Sequence, residues 1–353
     1  MKRICFVSLG NVYLSPYLKQ YTNIINDNYD IIYWDRENLN ETILGSNINV
    51  YRFSKSFKNK ATKIAGYALY RQYVKRILSK SDYDCVIFLQ TLGAIIIGRY
   101  LVKEYHMRYV IDIRDYSYEG NKYIYSLEKK LIMNSKFCII SSEGYKKFLP
   151  KQDYIITHNI RELDKTQVAK IKNRAKERAV LNIAFIGYVN YQEQHKKLLL
   201  NLKNDNRFIM TFIGTRALEL KKFCEKNAIT NVRFGDRFNP DEMLTLYEDV
   251  DLVNNLYGNH TPILDYALSN KLYFAAELNI PILTCSDTFM SEISHKYSFG
   301  IDVDVNNPNC GDILFDEYKR IDWERFSIGC QNFLDKVHHE QGIYADKIRE
   351  LIR

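Results

Sequence analysis

A chain of 353 residues is longer than one compact core ordinarily fills, so two domains are expected. Its 46% hydrophobic and 14% aromatic content, including 28 Tyr, can bury two cores and excludes a disordered chain. The net charge of +8 suits an anionic partner: a phosphorylated ligand, a membrane surface or a nucleic acid. Seven Cys without a Cys-x-x-Cys pair, with Cys5, Cys85, Cys138 and Cys285 in or beside apolar runs, read as buried reduced thiols of a cytoplasmic protein. Met1-Lys2-Arg3 leads into only about six apolar residues, so no signal peptide is expected, and no run approaches the roughly 20 residues of a membrane span.

In chain order, residues 3–9 predict a strand, Gly10-Asn11 a turn and 14–25 a helix. Strands follow at 30–34 and 48–53, then a long helix over 55–79. From Tyr51 to Lys80 there are nine Lys or Arg and no Asp or Glu. Apolar residues recur there at Phe57, Ala61, Ile64, Ala68, Val74 and Ile77, with Tyr67, Tyr70 and Tyr73 interleaved. Such a basic amphipathic helix suits an anionic membrane surface; a core-facing helix with a basic outer face is the structural alternative. Nucleic acid is not expected, since no nucleic-acid module is visible and charges of both signs are mixed elsewhere.

A strand at 85–90, a helix at 91–102 and a strand at 109–115 come next. The run Val110-Ile-Asp-Ile-Arg-Asp-Tyr116 places Asp112, Arg114 and Asp115 at or beyond a buried strand's end. A carboxylate there could orient or deprotonate an acceptor hydroxyl. The structural alternative is an Arg114–Asp ion pair that steadies the loop. A helix at 123–134, a strand at 137–141, a short helix at 143–148 and a strand at 154–159 complete this half, with His158 near its end as a hinge cap or a cleft contact. Residues 161–179, polar and basic with little periodicity, are expected to be the connection.

A second alternation predicts strands at 181–187, 208–214, 231–235 and 251–256, with helices at 192–203, 216–227 and 240–247 between them. His195-Lys196-Lys197 lies on the first of these helices, as a solvated face or as a contact to an anion. In Tyr266–Thr284, Ser269 or Asn270 caps a helix over 270–278, Asn279 ends it and Ile280-Pro-Ile-Leu283 is a short core strand. A free helix N-terminus beside Lys271 is suited to phosphate, because unpaired N–H groups and the helix dipole both favour an anion. From Trp323 to Arg353 the chain is expected to be mainly helical.

The run Ser269-Asn-Lys-Leu-Tyr273 followed by Ile280-Pro-Ile-Leu283 resembles the Pro-Asn-Lys-Leu-(Phe/Tyr)-Glu-Tyr … Gly-(Lys/Ile)-Pro-Val segment of bacterial GT-B glycosyltransferases. The likeness is to the family-four group that builds capsule, O-antigen and exopolysaccharide. Gly187, Phe212-Ile-Gly214 and Asn231-Val-Arg-Phe-Gly235 extend it in order. The chain departs from the pattern at Phe274, where the family carries Glu, and near Tyr266, where the paired Glu would fall. Asp265 and Glu277 are the nearest carboxylates.

The resemblance implies an α/β protein of two Rossmann-like domains facing across a cleft. The expected divisions are 1–162 on the acceptor side, 163–335 on the nucleotide-sugar side, and a helix over 336–353 returning to the first domain. It implies transfer of a sugar from a nucleotide-sugar donor to a lipid-linked or oligosaccharide acceptor, with retention, without a metal or other cofactor, on the cytoplasmic face of the membrane. The expected catalytic residues are Asp115 and Asp112. The expected donor-binding residues are Gly187, Lys196, Gly214, Ser269, Asn270, Lys271 and Glu277, and the acceptor-side residues are Gly10, Arg114 and His158. The alternative is a GT-B-shaped protein that does not transfer sugar, either a partner in a polysaccharide assembly complex or a sugar-nucleotide epimerase. The absence of G-x-G-x-x-G after the first strand, of a P-loop, of a G-x-S-x-G elbow and of metal-spaced His and Cys argues against dehydrogenase, NTPase, hydrolase and metalloenzyme readings.

Overall fold

The computed structural model describes residues 2–26, 29–43, 48–55, 57 and 60–353. Its contacts divide the chain into two units, Met1–His158 with His339–Arg353, and Asn159–His338.

The first unit is built on strands β1 (Ile4–Ser8), β2 (Tyr29–Trp34), β3 (Val50–Phe53), β4 (Cys85–Phe88), β5 (Tyr109–Ile113), β6 (Phe137–Ile140) and β7 (Tyr154–Ile156). They form one sheet in the order β3-β2-β1-β4-β5-β6-β7, every pairing parallel. The second unit carries β8 (Leu181–Ile186), β9 (Phe208–Ile213), β10 (Val232–Gly235), β11 (Leu252–Asn254), β12 (Ile282–Thr284) and β13 (Gly300–Asp302), in the order β10-β9-β8-β11-β12-β13 and again parallel. Helices flank both sheets, so the strands read as continuous apolar runs, as β1 (ICFVS, all buried) illustrates. In each sheet the strand order reverses beside the first strand of the unit, the place where a doubly wound sheet opens at its carboxyl ends.

Several expectations change. The helix expected over 91–102 is broken at Gly98 (φ +60°) into Thr91–Ile97 and Arg99–Glu104, because a left-handed residue cannot continue it. The connection expected over 161–179 contains a helix, Lys165–Lys172, capped by Asp164, whose Val168 and Ile171 enter the core of the second unit. The short strand β13 was not expected.

The long basic helix spans Lys60–Lys80; Ser56, Lys58, Asn59 and the side chain of Ala61 lie outside the described residues. Its buried stripe is Gly66, Tyr70, Val74 and Ile77, not Ile64 and Ala68, which are exposed. A Cβ on Gly66 would fall 2.8 Å from the Trp34 ring, so this glycine lets the helix lie against β2.

The final helix, Trp323–Ile352, serves both units. Phe326, Cys330, Phe333, Leu334 and Val337 pack into the second core, while Tyr344, Ile348 and Leu351 pack into the first with Tyr21, Ile25 and Phe6.

Candidate functional site

In the second unit β8 and β9 end at Gly187 (φ +134°) and Gly214 (φ +126°). A Cβ on Gly214 would stand 2.0 Å from the Gly187 carbonyl oxygen, so the two strand ends approach as closely as backbone allows. A Cβ on Gly187 would lie 3.6 Å from the Lys271 ammonium, which therefore sits at the mouth of β8.

Lys271 is held there by the helix Asn270–Leu278. Ser269 caps it, its hydroxyl accepting from the Lys271 N–H at 3.1 Å, and Asn279 ends it in the left-handed conformation. Lys271 is 6% exposed. Its Nζ donates to the Tyr257 hydroxyl at 2.9 Å and lies 4.0 Å from the centre of the Phe185 ring. Among the described residues no carboxylate pairs with it, and burial pushes its pKa down to about 7. Phe185 also carries the ring of fully buried His195, centroids 4.6 Å apart. Neither His195 nitrogen has a hydrogen-bond partner among the described residues. Burial, then Lys271, holds its pKa at about 3, so it is a neutral imidazole. Lys196, the next residue, turns away to Glu193 at 2.7 Å. Of the basic run on this helix, the structure thus brings His195 to Lys271 and leaves Lys196 on another face.

Beside this group lies a cavity of about 280 Å³. Ser269, Tyr188, Tyr191, Tyr257 and Asn255 are among its lining residues. Asn270 is exposed at the start of the helix. Asp265 keeps one buried carboxylate oxygen without a hydrogen-bond partner among the described residues. Glu277 is half-buried; six residues after Lys271, it is turned roughly 120° from it around the helix. Phe274 stacks on Tyr247, centroids 5.4 Å apart, inside the core.

The first unit holds the remaining candidates. Asp112 on β5 is fully buried. It accepts from Tyr21 at 2.6 Å and from Arg114 twice, at 2.6 and 2.8 Å. The Arg114 guanidinium lies 4.0 Å over the Tyr17 ring. Burial opposes its charge, but Asp112 overrides this and raises its pKa. These two residues form the ion pair that was the structural alternative. Asp115 is exposed just beyond β5, with no ion pair or hydrogen bond among the described residues. Buried Gly10 follows β1, and its carbonyl accepts from the Ser8 hydroxyl at 3.0 Å. His158 is buried; its ring meets Glu340 at 2.8 Å and its N–H donates to Gln341 at 3.0 Å, so it ties the end of β7 to the final helix.

Sequence reasoning missed Phe185, Tyr257 and Asn255. The available signal was the polar Asn254-Asn255 pair closing an apolar strand, where an amide side chain would otherwise be unsatisfied. Among the described residues no three His, Cys, Asp or Glu side chains come together as a metal site.

No family model and no curated protein matches the sequence. Solved structures do match. Sucrose-phosphate synthase from Thermosynechococcus elongatus aligns with a TM-score of 0.70 at 9% identity, over 100% of this chain and 98% of that one. HepE from Anabaena, solved with UDP, aligns at 0.66 and 12% identity over 100% and 98%. WaaG, a glycosyltransferase involved in lipopolysaccharide biosynthesis, aligns at 0.62 and 10% identity over 99% of each chain. At these identities the likeness is one of fold, and that fold is GT-B.

Proposed function

We propose that this protein is a glycosyltransferase that moves a sugar from a nucleotide-sugar donor to a lipid-linked or oligosaccharide acceptor in surface polysaccharide synthesis. The observation that carries the reading is Lys271, a buried ammonium without a counter-charge among the described residues, beside a helix N-terminus and two bare glycine strand ends. The helix dipole and one buried cation together attract a diphosphate and stabilise it as it departs. HepE, of the same fold, has been solved with UDP and with UDP-glucose, which supports a nucleotide-sugar donor here.

The donor would be held by Lys271, Ser269, Asn270, Gly187 and Gly214, with Asp265 or Glu277 as the carboxylate nearest the sugar. Asp115, exposed and unpaired among the described residues, is the better candidate for orienting the acceptor hydroxyl, since Asp112 is already committed to Arg114 and Tyr21. Transfer would proceed with retention and without a metal. The acceptor side would lie against an anionic membrane through the exposed Lys63, Arg71 and Arg76 of the basic helix. No helix among the described residues is long and apolar enough to cross a membrane. Phe274, locked into the core where the resembling family carries an acid, favours a second reading: a GT-B-shaped nucleotide-binding partner that does not transfer sugar.

Thermal shift against a panel of nucleoside diphosphates separates these readings. A ligand at 100 times its Kd stabilises the folded chain by roughly 2.7 kcal/mol. One diphosphate should raise the melting temperature of the wild type, and Lys271→Ala should abolish the rise. Release of that diphosphate from its sugar conjugate with an acceptor present supports transfer; binding without release supports the partner reading. No shift with any nucleotide overturns both.

A further inference from the structure

The cavity beside Lys271 has no charged side chain in its wall. Three tyrosines line it together with Leu264, Leu268 and Met290. Into this neutral wall the chain sets one buried amide. Asn255 is 4% exposed and follows directly on β11. Its backbone is satisfied: the N–H donates to the Leu283 carbonyl at 3.1 Å, and its own carbonyl accepts from the Tyr257 N–H at 3.0 Å. Its side-chain amide oxygen has no partner among the described residues. A buried acceptor in that state gains from any ligand that supplies the missing donor.

Resting on the donor reading above, we infer that this cavity receives the glycosyl part of the donor and selects a neutral sugar bearing an acetamido group. A cavity of about 280 Å³ lies at the small end of ligand pockets, which run about 300–1,000 Å³, and suits one substituted ring rather than a whole nucleotide. An acetamido group brings an N–H donor, a carbonyl acceptor and a methyl. The N–H satisfies the Asn255 oxygen, and if the carboxamide is turned over, the acetamido carbonyl satisfies its NH₂ instead. The methyl covers the Leu264, Leu268 and Met290 surface. A plain hydroxyl answers the amide but leaves that surface wet. A uronic acid would place its carboxylate against a wall with no cation in it.

Calorimetric titration of the full chain with base-free sugar 1-phosphates tests this apart from the nucleotide. The probes are the α-1-phosphates of N-acetylglucosamine against glucose, of N-acetylgalactosamine against galactose, and of fucose as a methyl-bearing sugar without the amide. In at least one of the two matched pairs the acetamido member should bind about tenfold tighter or more, the scale of discrimination expected for a pocket-filling group. Asn255→Leu should bring that ratio near one, and Ala267→Leu, which narrows the same cavity, should weaken the acetamido member selectively. Each ratio is internal to one protein, so a variant of lowered stability is still readable, and the wild-type ratio decides if a variant does not fold. Equal or absent binding of both members in both pairs, tighter binding of fucose 1-phosphate, or a ratio untouched by Asn255→Leu overturns the inference. If nucleoside diphosphates bind in that case, the donor reading survives; if neither class binds, both fall.

Discussion

Lys271 is poised by its surroundings. The groups that face it are the Tyr257 phenol, which burial pushes up to about 12 and so keeps un-ionised, and the neutral His195 ring. Burial draws its own pKa down to about 7, so this ammonium gives up its proton far more readily than a free lysine. A diphosphate needs the charged form, so donor binding should take up a proton, and affinity should fall as pH rises from about 7 to 9. Calorimetry in buffers of different ionisation enthalpy checks this; a flat affinity with no proton uptake would sink it. Without ligand the sign is opposite. An unfolded lysine titrates near about 10.4, so between about 7 and 10.4 the unfolded chain holds more protons and folding stability rises with pH. The two aspartates part company by the same reasoning. Asp112→Asn strands the buried Arg114 and should destabilise the first unit by about 3–5 kcal/mol. Asp115→Asn should leave the melting temperature nearly unchanged and cut turnover. Denaturation and turnover assays on both variants decide, and the reverse pattern would exchange their roles. The sequence pointed to Lys271 at a helix start and to an Arg114–Asp pair, but not to the groups that surround Lys271. His195 and Lys196 are adjacent letters but lie about 100° apart on a helix, and only the packing of Phe185 and Phe212 decides which one turns inward.

Among the elements, the strand-closing glycines carry most of the constraint. Gly214→Ala must both keep φ +126° and push a methyl into the Gly187 carbonyl, two independent penalties at one position. It should lower stability by about 4 kcal/mol or more, well beyond an ordinary surface change, measurable as loss of the second unit's unfolding transition. Gly10→Ala meets nothing closer than the Leu14 methyl at 3.7 Å and is the matched control. Comparable losses in both variants would show that the strand ends are not special. The seven strands of the first unit and five of the second were readable because buried parallel strands leave apolar runs bounded by turn residues. The sixth, β13, is the edge strand Gly-Ile-Asp with a single buried residue, so it leaves no apolar run. In the basic helix Val74 and Ile77 are buried as expected, but Ile64 and Ala68 are not, because Gly66 marks the inner face there and a glycine adds nothing to a hydrophobic pattern. The helix Lys165–Lys172 hid for a related reason: two inward residues, Val168 and Ile171, among lysines make too short a period to read.

For the whole molecule, the decisive fact is that the last fifteen residues belong to the first unit, 339–353 lying with 1–158. Tyr344, Ile348 and Leu351 are fully buried there, and the Tyr344 ring meets Tyr21 edge-on at 5.5 Å. Glu340 and Gln341 secure the end of β7 through His158. A chain ending at His338 should therefore keep the second unit's melting transition and lose the first unit's; two intact transitions would show that the tail is dispensable. The division of one helix between two cores is marked in its own apolar stripe, which stops at Val337, passes the polar run His338-His-Glu-Gln341 and resumes at Tyr344. On the ribosome the same feature inverts the usual order of maturation. The amino-terminal unit emerges first, yet it lacks part of its core until the final turns of the final helix have been translated. At about 5–20 residues per second, the 195 residues after His158 take roughly 10–40 s to add (353 − 158 = 195). During that interval Tyr21, Ile25 and their neighbours have no permanent cover, and the second unit, whose own core is complete once Val337 is in place, still finishes before the first. This polypeptide matures from its middle outward, and the nascent first unit is the stage at which a chaperone has most to shield.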